Sequence, residues 1–256
     1  MDDITTEEML SIADSLNTLD ALILALDVNT VEAAYSIVNR LSSLVTFYKI
    51  GLELFLAKNS FQFIRYLTEE KDKKVFLDLK MFDIPNTVSR AVEQLQQYKI
   101  TYASIHGNDA IVEAATKTKN TDTMLLAVSV LTAFDQQDID DLGLQCDINS
   151  IILSRVTRAH AIGCDGVVCS GNDVQAIRQR IPDKNFRIVT PGIRINPNIN
   201  NDQKRVSTIE NAIEKGANHL VIGREITQSP DIIRAAFDCQ LRIKEAFDKH
   251  TSLGTS

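Results

Sequence analysis

The most informative run in this sequence is KVFLDLKMFDIPNTV, residues 74–88, where ionisable side chains interrupt an apolar stretch. Strand side chains alternate between two faces. Val75, Leu77 and Leu79 then share one face, and Phe76, Asp78 and Lys80 share the other. Burying Asp78 and Lys80 is costly unless they pair and find further hydrogen bonds. An isolated D-x-K reads as a structural ion pair. Here both charges fall at the carboxyl end of the run, Asp83 follows just beyond, and two other strands repeat the pattern. Asp27 closes the apolar run that begins at Leu22, and Lys49 sits late in Thr46–Gly51. Neighbouring carboxylates favour the ammonium form of lysine. An ammonium group can neutralise a developing anion and then donate a proton. It is a poor nucleophile, which argues against Schiff-base chemistry.

A second group of residues points to an anion. VTPGIR (189–194) and VIGRE (221–225) each join a glycine turn to an arginine. Glycine lets backbone N–H groups approach an anion, and Arg194 and Arg224 can add bidentate phosphate contacts. His106, in SIHGND, either lines the same pocket or packs structurally. No HExxH or other histidine pair suggests zinc. Carboxylates near the rim could hold magnesium, but adjacent lysines compete with it, so no metal is expected. Cys146, Cys164, Cys169 and Cys239 form no CxxC pair and read as reduced thiols.

These residues need a scaffold. Eight apolar runs recur, each followed by a polar turn and a helical stretch: Leu22–Val28, Thr46–Gly51, Lys74–Lys80, Tyr102–Gly107, Met124–Val130, Gly166–Gly171, Phe186–Gly192 and His219–Arg224. Continuous apolar runs mark strands buried on both faces, as in a parallel sheet. Eight βα units in 256 residues predict a (β/α)8 TIM barrel. Its active site would lie at the carboxyl ends of the strands, with phosphate bound after strands seven and eight. A Rossmann-like sheet would want a glycine-rich turn after its first strand, and Asn-Thr-Val-Glu-Ala-Ala follows instead. No P-loop is present. One domain is expected, with the barrel over about 21–248 and an added amphipathic helix over about 5–17 on its floor. The polar connection Arg194–Arg205 is long for a compact domain, and such loops often act as lids.

Composition narrows the function further. Net charge is −7, which argues against a nucleic-acid partner held by a basic surface. No apolar run approaches membrane-spanning length, and MDDITTEEML lacks the pattern of a secretory signal. A cytoplasmic protein is expected.

The motif FLDLKMFDIPNTV resembles the signature D-x-K-x-x-D-I-P-N-T of the orotidine 5′-phosphate decarboxylase family, bacterial type. ALDV, YKIG, SVLTAFD, DGVVCS, VTPGIR and VIGREITQS resemble family segments in the same order, over about residues 21–230. The resemblance implies loss of CO2 from carbon 6 of orotidine 5′-phosphate to give uridine 5′-phosphate, the last step of de novo UMP synthesis, with no cofactor or metal. It implies that Lys80 protonates carbon 6, that Asp78 lies beside the substrate carboxylate, and that Lys49 and Asp83 complete the charged network. It assigns Asp27 and Lys49 to the ribose hydroxyls and Thr132 to the pyrimidine end. Arg194, Gln203, Gly223 and Arg224 fall to the phosphate, with Gln203 on the long loop. It further implies a homodimer in which Asp83 and Thr87 reach the partner's site. Met81-Phe82 departs from the Phe-His of many relatives, at positions with no chemical role. Two rivals remain: a magnesium-dependent keto-sugar-phosphate lyase sharing the D-x-K-x-x-D core, and a non-catalytic nucleotide-binding module.

Overall fold

The computed structural model describes residues 4–120, 122–195 and 207–253. Eight parallel strands close into a barrel: β1 Leu22–Ala25, β2 Phe47–Gly51, β3 Lys74–Met81, β4 Tyr102–His106, β5 Met124–Val128, β6 Gly166–Val168, β7 Arg187–Thr190 and, last in the chain, β10 His219–Ile222, which pairs with β1 and β7. Seven of the eight expected runs contain one of these strands, and the third, Lys74–Lys80, falls one residue short of β3. Several runs overshoot at the carboxyl end. The apolar character continues into the loops at the barrel mouth after the ladder has stopped, so Asp27 lies past the end of β1.

The ring closes because the strand faces are both apolar but meet different things. Ile23, Phe47, Phe76, Tyr102, Leu126, Val168, Val189 and Val221 fill the barrel interior as one buried cluster. Their neighbours Leu22, Leu24, Tyr48, Ile50, Val75, Leu77, Ala103 and Ile105 face the helices. The helix Pro85–Leu95 shows how that shell is built: Pro occupies its first turn, where a missing N–H costs nothing, and Val88, Val92 and Leu95 form its buried stripe.

Two short elements flank the connection expected over Arg194–Arg205. β8 Ile193–Arg194 pairs in parallel with β9 Ser207–Thr208, and the Ser207 N–H donates to the Gly192 carbonyl. Gly192 has φ +76°, a value glycine adopts freely. Both ends of the intervening segment are therefore fastened beside the mouth. Residues 196–206, Gln203 included, lie outside the described residues.

The N-terminal helix is shorter than expected, Thr6–Asp14, because Ser15 caps it and a 3-10 turn at Leu19–Ala21 leads into β1. Thr5 and Glu8 close its start reciprocally as a capping box. It packs Met9 and Ala13 against the last helix, Ile232–Leu253, and the turn before β2. The barrel floor itself is plugged by side chains. His219 donates from Nδ1 to the Asp20 carbonyl (2.8 Å) and accepts the Tyr102 hydroxyl at Nε2 (2.8 Å). Asp20 also accepts from Thr46 and pairs with Lys74.

Burial pushes the His219 pKa down to about 4, against the opposing pull of its bond to Asp20. Between pH 6.5 and 4 the unfolded chain therefore binds this proton and the folded chain does not. Stability is full above that window and declines through it as pH falls, by about 3 kcal/mol for this group alone. Burial also works against the Asp20 carboxylate, but Lys74 and Thr46 outweigh it and hold its pKa below the usual range, so its contribution is lost only at lower pH. Urea titrations should show the decline between pH 6.5 and 4 in the native protein and a shallower one in His219→Gln. An unchanged slope would sink the assignment.

Candidate active site

At the mouth, β1, β2 and β3 deliver a row of alternating charges. Lys49 Nζ donates to Asp27 Oδ1 at 3.0 Å and lies 3.8 Å from Asp78 Oδ2. Lys80 Nζ donates to the same Asp78 oxygen at 2.9 Å. The inward alternation expected for Phe76, Asp78 and Lys80 is what the barrel shows, with Phe76 in the interior cluster and the two charges above it. Only 10% of the Asp78 side chain is exposed, against 40% for Lys80, so Asp78 is the group that depends most on its partners. Removing one partner of a buried charge costs about 3–5 kcal/mol. Gly51 permits this packing: a Cβ there would stand 3.1 Å from the Lys49 ammonium.

The strand is distorted where the charges sit. Leu77 pairs with Ala103 and Met81 with Ile105, so four residues of β3 span what two residues of β4 span. Lys80 carries φ +49° in this bulge. A non-glycine residue held there costs about 1–2 kcal/mol. Such strain persists where the surroundings over-determine it. The Lys80 N–H donates to the Ser104 hydroxyl at 2.8 Å, and that hydroxyl donates to Asp78 Oδ1 at 2.8 Å.

Further round the mouth lie the expected anion groups, with Gly223 next to Asp27. One cavity of about 230 Å³ is lined by Asp27, Lys49, Asp78, Lys80 and Thr132 together with Gly192, Arg194, Gly223 and Arg224. Arg194 is 11% exposed at its side chain and sits 3.8 Å from the Glu225 carboxylate. Glu225 also accepts the Ile195 N–H, at the start of the long connection. The cavity thus has a cationic end suited to a phosphate and, beside it, a mixed-charge end with an ammonium group held beside a carboxylate.

Two expected members stand apart from this cavity. Asp83 is exposed and its Oδ1 accepts the N–H of Ile84. Thr87, in the first turn of the helix that follows, does not line the cavity either. Gln203 lies outside the described residues. His106 packs rather than lines the pocket: its ring stacks on Phe82 with centroids 4.1 Å apart. Burial, and then Arg155, holds its pKa below the usual value.

Sequence reasoning left Ser104 and Glu225 without a role. Ser104 had a signal: it lies between Tyr102 and His106 on the inward face of β4, where a polar residue is unusual. Glu225 had none, because its contact with Arg194 joins two distant segments. Among the described residues no three His, Cys, Asp or Glu side chains gather in a metal-binding group, and no helix is long and apolar enough to cross a membrane.

Comparison with known proteins supplies a context for this geometry. The profile of the "Orotidine 5'-phosphate decarboxylase / HUMPS family" matches residues 20–238. An orotidine 5′-phosphate decarboxylase of Methylococcus capsulatus is 47% identical over 229 residues, covering 89% of this chain and 93% of the relative. The enzyme of that name from Ruegeria pomeroyi is 40% identical over 220 residues, covering 85% and 91%. Among solved structures, orotidine 5′-phosphate decarboxylase of Lactobacillus acidophilus superposes with a TM-score of 0.76 at 29% identity, over 88% of this chain and 99% of that one.

The cationic end makes its own prediction. Inorganic phosphate should raise the thermal midpoint of the native protein, and Arg194→Ala or Arg224→Ala should weaken phosphate binding by about tenfold or more, the usual loss for a charge-assisted bond. Equal phosphate binding by both variants would place the anion elsewhere.

Proposed function

The chain belongs to the orotidine 5′-phosphate decarboxylase family and converts orotidine 5′-phosphate to uridine 5′-phosphate and CO2 in pyrimidine biosynthesis; from that premise we propose how its residues carry the reaction. The observation that carries the proposal is the placement of Lys80 beside Asp78 in the cavity whose other end holds Arg194 and Arg224. Arg194, Arg224 and the Gly223 turn grip the phosphate, joined by Gln203 from the long loop. Asp27 and Lys49 bind the ribose hydroxyls, and Thr132 meets the pyrimidine. The substrate carboxylate then lies against Asp78 and the Lys80 ammonium.

The bond from carbon 6 to the carboxyl carbon breaks, CO2 departs, and the electron pair stays on carbon 6. That pair is poorly delocalised, so a fixed ammonium group stabilises it more than it stabilises the intact substrate, which is the condition for acceleration. Lys80 then gives a proton to carbon 6 and regains one from solvent. The repulsion between Asp78 and the substrate carboxylate adds to the ground-state energy and is relieved as CO2 leaves. Phosphate binding far from carbon 6 can drive closure of the 194–205 loop and exclude water. No cofactor or metal enters these steps.

We further propose a homodimer, active in the cytoplasm as a single catalytic domain, in which Asp83 and Thr87 complete the partner's site. Two features support the dimer. Asp83 lies outside its own cavity despite belonging to the charged motif. Around it Phe82 and Ile84 are 67% exposed, and Leu52 and Leu56, in the short helix Leu52–Leu56 that follows β2, are 59% and 73% exposed. An apolar patch of this kind commonly marks an interface.

Lys80→Ala should remain folded and lose at least about a thousandfold in kcat, the combined scale of a lost proton donor and a lost electrostatic contact. Mixing Lys80→Ala with Asp83→Ala should restore some activity, because one hybrid site then holds both native residues. No recovery despite proven subunit exchange would remove the shared site. Consumption of orotidine 5′-phosphate, followed by ultraviolet absorbance, should be insensitive to EDTA. Chelator sensitivity would favour the magnesium-dependent sugar-phosphate lyase, and nucleotide binding without turnover would favour a non-catalytic module.

A further inference from the structure

Ser104 is fully buried on the inward face of β4, and its hydroxyl is spoken for in both directions. It accepts the Lys80 N–H and donates to Asp78 Oδ1, each at 2.8 Å. A hydroxyl has one proton, and here that proton is committed to the carboxylate. The other Asp78 oxygen faces both lysines. We infer that Ser104 is a positioning residue that fixes the Asp78–Lys80 pair in its reactive geometry, by holding the bulged Lys80 backbone and the Asp78 carboxylate through one side chain.

Between Leu77 and Met81 the β3–β4 register slips. Lys80 sits there in the left-handed region, which lysine does not favour. The Ser104 hydroxyl ties the Lys80 N–H down within that stretch. Because the same oxygen is bonded to Asp78, the lysine's backbone and the aspartate's head group cannot drift independently. Ser104 does not line the cavity, and β4 stands four strands round the ring from β10, which leads into Gly223 and Arg224. Loss of its hydroxyl should therefore impair the chemical step and spare substrate binding. A displacement of about 1 Å in a reacting group can cost about 100-fold in rate.

This inference rests on the roles given to Lys80 and Asp78 above, so the test carries Lys80→Ala as its control. In Ser104→Ala, kcat should fall about 10- to 100-fold while KM for orotidine 5′-phosphate and Kd for uridine 5′-phosphate stay within about threefold. Ser104→Thr, which keeps the hydroxyl, should recover most of the lost kcat. If Ser104→Ala does not fold, Ser104→Cys keeps the volume with a weaker donor and takes its place in the comparison. An inactive Lys80→Ala beside a Ser104→Ala with native kcat would overturn the positioning role alone. A Ser104→Ala whose kcat loss merely tracks its folded fraction would do the same. An active Lys80→Ala would instead overturn the roles on which it stands.

Discussion

Asp78 is the constraint around which the mouth of the barrel is organised. A carboxylate buried to this degree must be answered by donors, and three side chains answer it: Lys80, Lys49 and Ser104. Each comes with a structural consequence. Lys80 reaches it from a bulged stretch of the same strand with positive φ, Lys49 packs closely over Gly51, and Ser104 sets a hydroxyl between Tyr102 and His106 on the inward face of β4. Asp27 then balances Lys49. The charges form one connected set, so the rim cannot be assembled piecemeal. Surface ion pairs elsewhere on the molecule, such as Arg65–Glu69, contribute little by comparison.

The two ends of the barrel divide the work. The interior below the charges is apolar and aromatic, with Phe47, Phe76 and Tyr102 in contact. The floor is closed by hydrogen bonds among Tyr102, His219, the Asp20 carbonyl and Thr46, with the half-exposed Asp20–Lys74 pair at its edge. The connected set of buried charges and the left-handed Lys80 lie at the mouth. This is the distribution expected where a rigid ring supports a few costly residues at one end.

Much of this was legible in the sequence because strand periodicity is simple. Alternation alone put Val75 and Leu77 against the helices and Phe76, Asp78 and Lys80 inside, and the eight apolar runs specified the eight strands. Arg194 and Arg224, nearly 30 residues apart, were placed together by strand order. What periodicity could not carry was any departure from it. Nothing in DLKM announces a bulge, since lysine has no preference for positive φ. The pairing of Ile193–Arg194 with Ser207–Thr208 is a contact between two-residue segments, too short to leave a pattern. Glu225 was visible in VIGRE but its partner was not, because burial of a carboxylate against a distant arginine is decided by packing. Asp83 and Thr87 belong to a legible motif, yet a single chain gives them no cavity to line.

The plugged floor has a consequence for traffic. Tyr102, His219 and Asp20 leave the barrel blind at that end, with the apolar cluster stacked above them. Everything that enters or leaves the site must pass the same opening. In the proposed binding mode a nucleotide gripped at Arg194 and Arg224 occupies the cavity at that opening, while the CO2 released is small and uncharged. With one cavity at one opening, a second nucleotide would have to wait until the first has gone. Turnover is therefore strictly single file, and the product competes with the substrate for the one doorway they share.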